Sequence, residues 1–160
     1  MKMVAHSQLD RELLKQFFIQ QWHSPVMVVS SGVYNCDQLE GYAWVNPTGN
    51  IVGCITFEAA ERFEVISLDS TIEGQGIGSM LLEKVEETAN RQGYSKVQLV
   101  TTNDNLKAVS FYQKRGYRIV SILADAVQKA RRRKPEIPKI ASNGIPILDE
   151  WVLEKQLLDT

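Results

Sequence analysis

One stretch of this chain admits few folds. Between the β-rich run Phe63–Leu68 and an amphipathic helix lies the bend Gly74-Gln75-Gly76-Ile77-Gly78-Ser79. Three glycines ahead of a helix carry an entropic cost that is offset where backbone must come close to a ligand. A helix start leaves its first N–H groups without intrahelical acceptors, and the helix dipole adds positive potential there. The bend therefore suits an anion such as a phosphate or pyrophosphate. The helix behind it is expected over Gly78–Gln92. Leu81, Leu82, Val85 and Ala89 form its apolar stripe, and Gly93 is its stop. Glu87 and Arg91, four apart, are placed to pair on the solvent side.

The rest of the chain is read outward from that bend. Leu9, Leu13, Leu14, Phe17, Phe18 and Trp22 recur at helical spacing, so a helix is expected over Gln8–Trp22 with Ser7 as N-cap. Pro25 ends it, and PVMVVSSGVYN follows as a strand-like run broken at Gly32. Leu39–Val45 reads as a strand. The turn residues Pro47-Thr48-Gly49-Asn50 make Gly41–Val45 and Ile51–Phe57 a hairpin. Phe63–Leu68 adds another antiparallel strand. The loop and helix that separate it from the strand Lys96–Thr102 favour parallel pairing of those two. Downstream come a helix over Leu106–Lys114 stopped by Gly116, a strand Tyr117–Leu123, and a helix Asp125–Lys134 ended by Pro135. A proline-containing loop to Pro146 and a strand Asp149–Leu153 follow. The expected class is mixed α/β (α+β), mostly antiparallel with a central parallel strand pair and helices on both faces, in one domain spanning 1–160.

Charge and composition narrow the function. Eighteen Lys plus Arg against nineteen Asp plus Glu leave a net charge of −1, which argues against bulk nucleic-acid binding. No apolar run reaches the ~20 residues of a membrane span, and the N-terminus lacks a signal peptide's apolar middle. Cys36 and Cys54 form neither a disulfide framework nor a zinc pattern, so a cytoplasmic setting is expected. Cys54, in the apolar run IVGCITF, reads as a small buried residue. His6 and His23 carry no metal-ligand spacing and read as surface residues; no metal is expected. Trp22, Trp44 and Trp151 read as core.

Which anion sits at the bend is decided by a second motif. A Walker A loop needs Lys then Ser or Thr after the final glycine, and Ser79-Met80 stand there instead. A dinucleotide fingerprint needs a glycine where Ser79 stands and an acid after the next strand, where Gln98 and Thr101 lie. About thirty residues past the bend comes Asn105-x-x-Ala108-x-x-Phe111-Tyr112-x-x-x-Gly116-Tyr117. With Gly76-x-Gly78, this pattern resembles the GNAT superfamily of acyl-CoA-dependent N-acetyltransferases over Glu64–Tyr117. The tail KPEIPKIASNGIPILDE is similar to that of a bacterial subgroup.

The resemblance implies acetyl-CoA as cosubstrate, held where two parallel strands splay, here Phe63–Leu68 and Lys96–Thr102. Gly74, Gln75, Gly76, Ile77, Gly78 and Ser79 would hold the pyrophosphate through backbone N–H groups. The backbone of Ile66, Ser67 and Leu68 would pair with the pantetheine arm. Asn105 would contact the cofactor, and it is also a good helix N-cap. Tyr112 would stand near the sulfur. A phenol of ordinary pKa about 10 holds its proton at neutral pH and can pass it to a departing thiolate. A backbone N–H near Leu68 would receive the oxyanion. Glu64 is the favoured base because it shares strand parity with Ile66 and Leu68, with Glu61 and Asp69 behind it. Without the motif, Tyr112 would read as core and Glu64 as a strand-face charge.

Glu73 departs from the superfamily, which usually has Arg or Gln there. Its sign opposes an anionic cofactor, so the amides must carry the binding. Two functions follow: acetyl transfer to a primary amine of a small molecule or peptide, or a CoA-binding sensor without turnover. The acids Glu61, Glu64, Asp69, Asp149 and Glu150 suggest a cationic acceptor. Neither nucleic acid nor a membrane is an expected partner, and a homodimer stays open.

Overall fold

The computed structural model describes residues 1–158. In chain order the elements are β1 (Lys2–Ala5), α1 (Arg11–Trp22), β2 (Val26–Val29), β3 (Gly32–Asn35), β4 (Glu40–Val45), β5 (Ile51–Ala59) and β6 (Phe63–Ser70). Then come α2 (Ile77–Arg91), β7 (Lys96–Thr102), α3 (Leu106–Gln113), β8 (Arg118–Leu123), α4 (Ala126–Arg131) and β9 (Glu150–Gln156). Seven strands share a sheet in the order β1-β4-β5-β6-β7-β9-β8, and β2 pairs with β3 alone. The pairs β1–β4, β4–β5, β5–β6 and β8–β9 are antiparallel, and β6–β7 is parallel. The expected mixed class holds. The chain packs as two compact units, one mainly Met1–Met27 and Tyr34–Val97, the other Val28–Val33 and Gln98–Gln156.

In the first unit β5 runs through the core with Ile51 to Phe57 all buried, as an unbroken apolar run requires when both faces are covered. On one face lies α2, whose Leu81, Leu82, Val85 and Ala89 are each at most 1% exposed. The Tyr42 and Thr88 hydroxyls meet at 2.7 Å on that side. The opposite face carries α1, with Leu14, Phe17 and Phe18 buried and the Trp22 indole N–H donating to Asp69 at 3.0 Å. Asp69 lies opposite Cys54 in the register, so it shares that face.

Two expectations are corrected here, and one strand is added. The first helix begins at Arg11, because the Asp10 carboxylate accepts the Glu12 N–H at 2.9 Å and takes the cap assigned to Ser7. His6–Gln8 instead forms a separate 3-10 turn. The strand β1, four residues without clear alternation, was not legible and is held by its pairing to β4. The helix expected over Asp125–Lys134 is only Ala126–Arg131. Asp125 is left-handed at φ 60°, and the Arg132 and Arg133 N–H groups close tight turns onto the Lys129 and Ala130 carbonyls.

In the second unit Val109, Tyr112, Tyr117, Val127, Ile147 and Leu153 are buried. The loop after α4 is ordered by the side chains of Asn103 and Arg131. Asn103 accepts the Leu148 and Asp149 N–H groups at 2.9 and 3.0 Å and donates to the Pro146 carbonyl at 2.9 Å. Arg131 donates to Gln128 and to the carbonyls of Ile137, Pro138 and Ile147. It belongs to the loop's framework.

Candidate active site

The bend between β6 and α2 is anchored at both ends. The Thr71 N–H donates to the Val52 carbonyl at 2.9 Å, and the Ser70 hydroxyl donates to the Ile72 carbonyl at 2.8 Å. At the far end Ile77, 2% exposed, packs down through the space left by Gly53. A Cβ on Gly53 would lie 2.5 Å from Ile77 Cγ2. Between these anchors Gly74, Gln75 and Gly76 are exposed. Gly74 and Gly76 have φ of 78° and 72°, and a Cβ on either would meet nothing within 4 Å. Backbone sign thus demands glycine here, while the space above stays open. The helix starts at Ile77, one residue before Gly78, and Gly76 supplies no side-chain cap to its first turn. Gly78 and Ser79 therefore sit in that turn, half-buried.

β6 carries a bulge that overturns one expectation. Ile55 faces Leu68 and Thr56 faces Ser67, but Phe57 faces Val65, so Ile66 has no partner on β5. Leu68 lies beside Ile55 on the α2 face. Glu64, opposite Glu58 beyond the bulge, lies on the other. Glu64, Ile66 and Leu68 therefore do not face one way; one inserted residue breaks the parity on which that reading rested. Glu64 and Ile66 are nonetheless buried, at 6% and 8% exposure. Ser67 is buried too, its hydroxyl bonded to Thr56.

On the face of β4, β5 and β6 away from α2 lies a polar cluster. His6, expected at the surface, is buried with its Nε2 3.1 Å from Cys54 Sγ. Its Nδ1 lies 3.4 Å from the Leu39 carbonyl, which makes Nδ1 the donor and leaves Nε2 to accept the thiol proton. Room for the ring comes from Gly41, where a Cβ would lie 2.7 Å from His6 Cε1. Burial lowers the His6 pKa and raises that of Cys54, so this is a neutral pair. Burial also pushes Cys36 up to about 12. The reading of Cys54 as a buried, non-nucleophilic residue fits. Asp69 is raised from 3.8 to about 6, by burial first, against the lowering effect of the Trp22 hydrogen bond. Its Oδ2 is buried without a hydrogen-bond partner. Glu61 is exposed in the turn before β6.

In the second unit the second motif forms one compact piece. Asn105 caps α3, its side chain accepting the Ala108 N–H at 3.3 Å. Tyr112 is 8% exposed, its ring edge-on to Phe111 at 5.3 Å and to Tyr117 at 5.6 Å. Gly116, at φ 95°, turns the chain so that the Tyr117 N–H reaches the Tyr112 carbonyl at 3.1 Å. The Arg115 guanidinium lies over the Phe111 ring, 3.6 Å from its centroid. Among the described residues no group of three or more His, Cys, Asp or Glu is placed to hold a metal. Nor, among them, is any helix long and apolar enough to cross a membrane.

This fold is shared with solved acetyltransferases. A GNAT family acetyltransferase from Elizabethkingia anophelis, solved with acetyl-CoA bound, is 23% identical with a TM-score of 0.68, covering 98% of this chain and 97% of that one. The IAA acetyltransferase of Bacillus cereus ATCC 14579 is 24% identical with a TM-score of 0.69, covering 98% and 100%. The model of the acetyltransferase (GNAT) family matches residues 9–117, more than half of the chain, so the chain belongs to that family. It is an N-acetyltransferase of the acetyl-CoA-dependent kind. A relative from Bacillus subtilis (strain 168), the uncharacterized protein YxbD, is 49% identical over 158 residues, 98% of this chain and 99% of that one.

Proposed function

We propose that the chain, as a single domain over 1–160, moves the acetyl group of acetyl-CoA onto a primary amine of a small molecule or peptide by direct attack on the thioester. One observation carries this reading: an exposed, left-handed glycine bend opens into the uncapped start of α2, beside a bulged β6. The amides of Gly74, Gln75, Gly76, Ile77, Gly78 and Ser79 hold the pyrophosphate. The backbone of Ile66, Ser67 and Leu68 holds the pantetheine arm, and the bulge at Ile66 supports an amide turned toward the oxyanion. Asn105 contacts the cofactor from the start of α3. The amine nitrogen attacks the carbonyl carbon, the C–S bond breaks, and the sulfur takes the Tyr112 proton. Glu64 accepts the proton lost by the amine, directly or through a water. The setting is cytoplasmic, in keeping with two free thiols.

The test is thiol release across an amine panel, alongside calorimetric binding of acetyl-CoA. Tyr112→Phe should lower kcat by about a hundredfold with cofactor binding nearly unchanged, the usual scale of a lost general acid. Glu64→Gln should lower kcat with cofactor binding nearly unchanged. Normal turnover by Tyr112→Phe sinks the acid assignment. Binding of acetyl-CoA with no release from any amine would favour a sensor.

A further inference from the structure

The strand β8 ends the seven-stranded sheet. It is hydrogen-bonded to β9 on one side and, among the described residues, to no strand on the other. Its outward N–H and C=O groups are therefore an open ladder. The strand is also apolar and uncovered. Ile119, Val120 and Ile122 are 40%, 52% and 60% exposed, and Arg118 at its start is the only charge in it. Ile122 and Leu123 also line a recess with Val28, Val29 and Ala126, so the apolar strip runs on beside the strand. Chains that stay alone blunt such an edge with charges or proline, and neither stands between Ile119 and Leu123.

The register of β8 on β9 says what fits there. Ile119 stands opposite Leu153 and Ile122 opposite Trp151, two residues apart on β9, so both isoleucines share one face. Arg118 and Leu123, opposite Glu154 and Glu150, share the other. Two residues three apart can share a face because β8 counts one extra residue at the bulge between Ile119 and Ser121. A regular strand lacks that extra count, whereas a second copy of β8 carries it. Let two copies run antiparallel about a two-fold axis, with Ile119 opposite the partner's Ile122. The counts then agree, and both isoleucine pairs lie on one face. On the other face Arg118 stands opposite the partner's Leu123. Asp125 lies two residues past Leu123, within the diagonal reach of a long side chain. Arg118 and Asp125 are exposed, and among the described residues neither side chain forms an ion pair. Antiparallel self-pairing brings these opposite charges together at both ends of the contact.

We propose that β8 is the interface of a homodimer, in which it pairs antiparallel with β8 of a second copy in the register Ile119 to Ile122. The occupant is this same chain because the bulge and the charges flanking it are each matched by the strand itself. Pairing satisfies the open backbone groups and takes the isoleucines out of water. It uses none of the residues assigned to acetyl transfer, so it stands independently of that reading.

Sedimentation of the full chain tests it. At concentrations up to about 100 µM the chain should run at twice its monomer mass. Ile122→Lys, at an exposed site, should leave the circular dichroism spectrum unchanged and raise the dissociation constant at least about tenfold. The register has its own test. On mild oxidation, an Ile119→Cys chain mixed with an Ile122→Cys chain should give a disulfide-linked dimer on a non-reducing gel. Neither variant alone should, because its two introduced thiols stand three residues out of register, about 10 Å, beyond the ~7 Å that a disulfide spans between Cα atoms. The native Cys36 and Cys54 are 0% exposed and stay out of the reaction. A monomer at about 100 µM overturns the proposal and leaves the edge to a strand of another protein. A dimer untouched by Ile122→Lys overturns it too, as do links that form as readily within one variant as in the mixture.

Discussion

Replacing Asp69 by asparagine tests the electrostatics of the first unit directly. Burial raises the Asp69 carboxyl from 3.8 to about 6. Below 3.8 folded and unfolded chains both carry the proton, and the shift costs nothing. As pH rises from there to about 6 the unfolded chain ionises first and the fold loses stability; above about 6 the loss is complete. At 1.36 kcal/mol per pH unit, a rise of about 2 amounts to about 3 kcal/mol. The asparagine side chain would keep an oxygen for the Trp22 indole N–H but cannot ionise. It also buries an amide where Oδ2 has no hydrogen-bond partner, a pH-independent cost of about 1–3 kcal/mol. The useful readout is therefore the change in the difference. Urea denaturation of both proteins from about pH 4 to about pH 7.5 should show Asp69→Asn gaining about 2.5 kcal/mol on the wild type across that range, the remainder having been lost below about pH 4. A difference that stays flat, or that moves toward the wild type as pH rises, would refute a carboxyl whose pKa is raised by burial.

Other expectations are simpler. Gly41→Ala would drive a Cβ to within 2.7 Å of the His6 ring and closer still to the Ile55 carbonyl. Backbone cannot yield there, so denaturant melts should show a loss of about 3 kcal/mol or more. Gly76→Ala meets no atoms but must hold φ near 72°. It should cost about 1–2 kcal/mol in stability and weaken acetyl-CoA binding by calorimetry; unchanged affinity would remove the bend from the cofactor site. Cys36 and Cys54, buried with raised pKa, should resist iodoacetamide in the native protein and react once urea unfolds it, as read by mass spectrometry.

Local signals were enough for some of this. The strand Lys96–Thr102 lies where its apolar pattern put it, and α2 shows its stripe, its Gly93 stop and the Glu87–Arg91 pair at 3.9 Å. Asn105 caps α3 as its residue type foretold. These features depend on neighbours within a turn or two along the chain, which a sequence displays. The glycine bend and the Asn105-to-Tyr117 spacing were likewise sufficient to point to the family.

Other features depend on what a distant segment does. The bulge at Ile66 is a mismatch of count between β5 and β6, and no local pattern records it; it alone sends Glu64 to the face opposite Leu68. His6 is interior because Gly41, far along the chain, leaves its ring a space. Asp69 owes its raised pKa to burial beneath a helix far from it in sequence. The recess beside α4 takes its walls from residues about a hundred positions apart, such as Val28 and Ala126. Periodicity fixes which elements form, whereas registry and burial arise only when those elements meet, and the chemistry of the buried groups follows from the meeting.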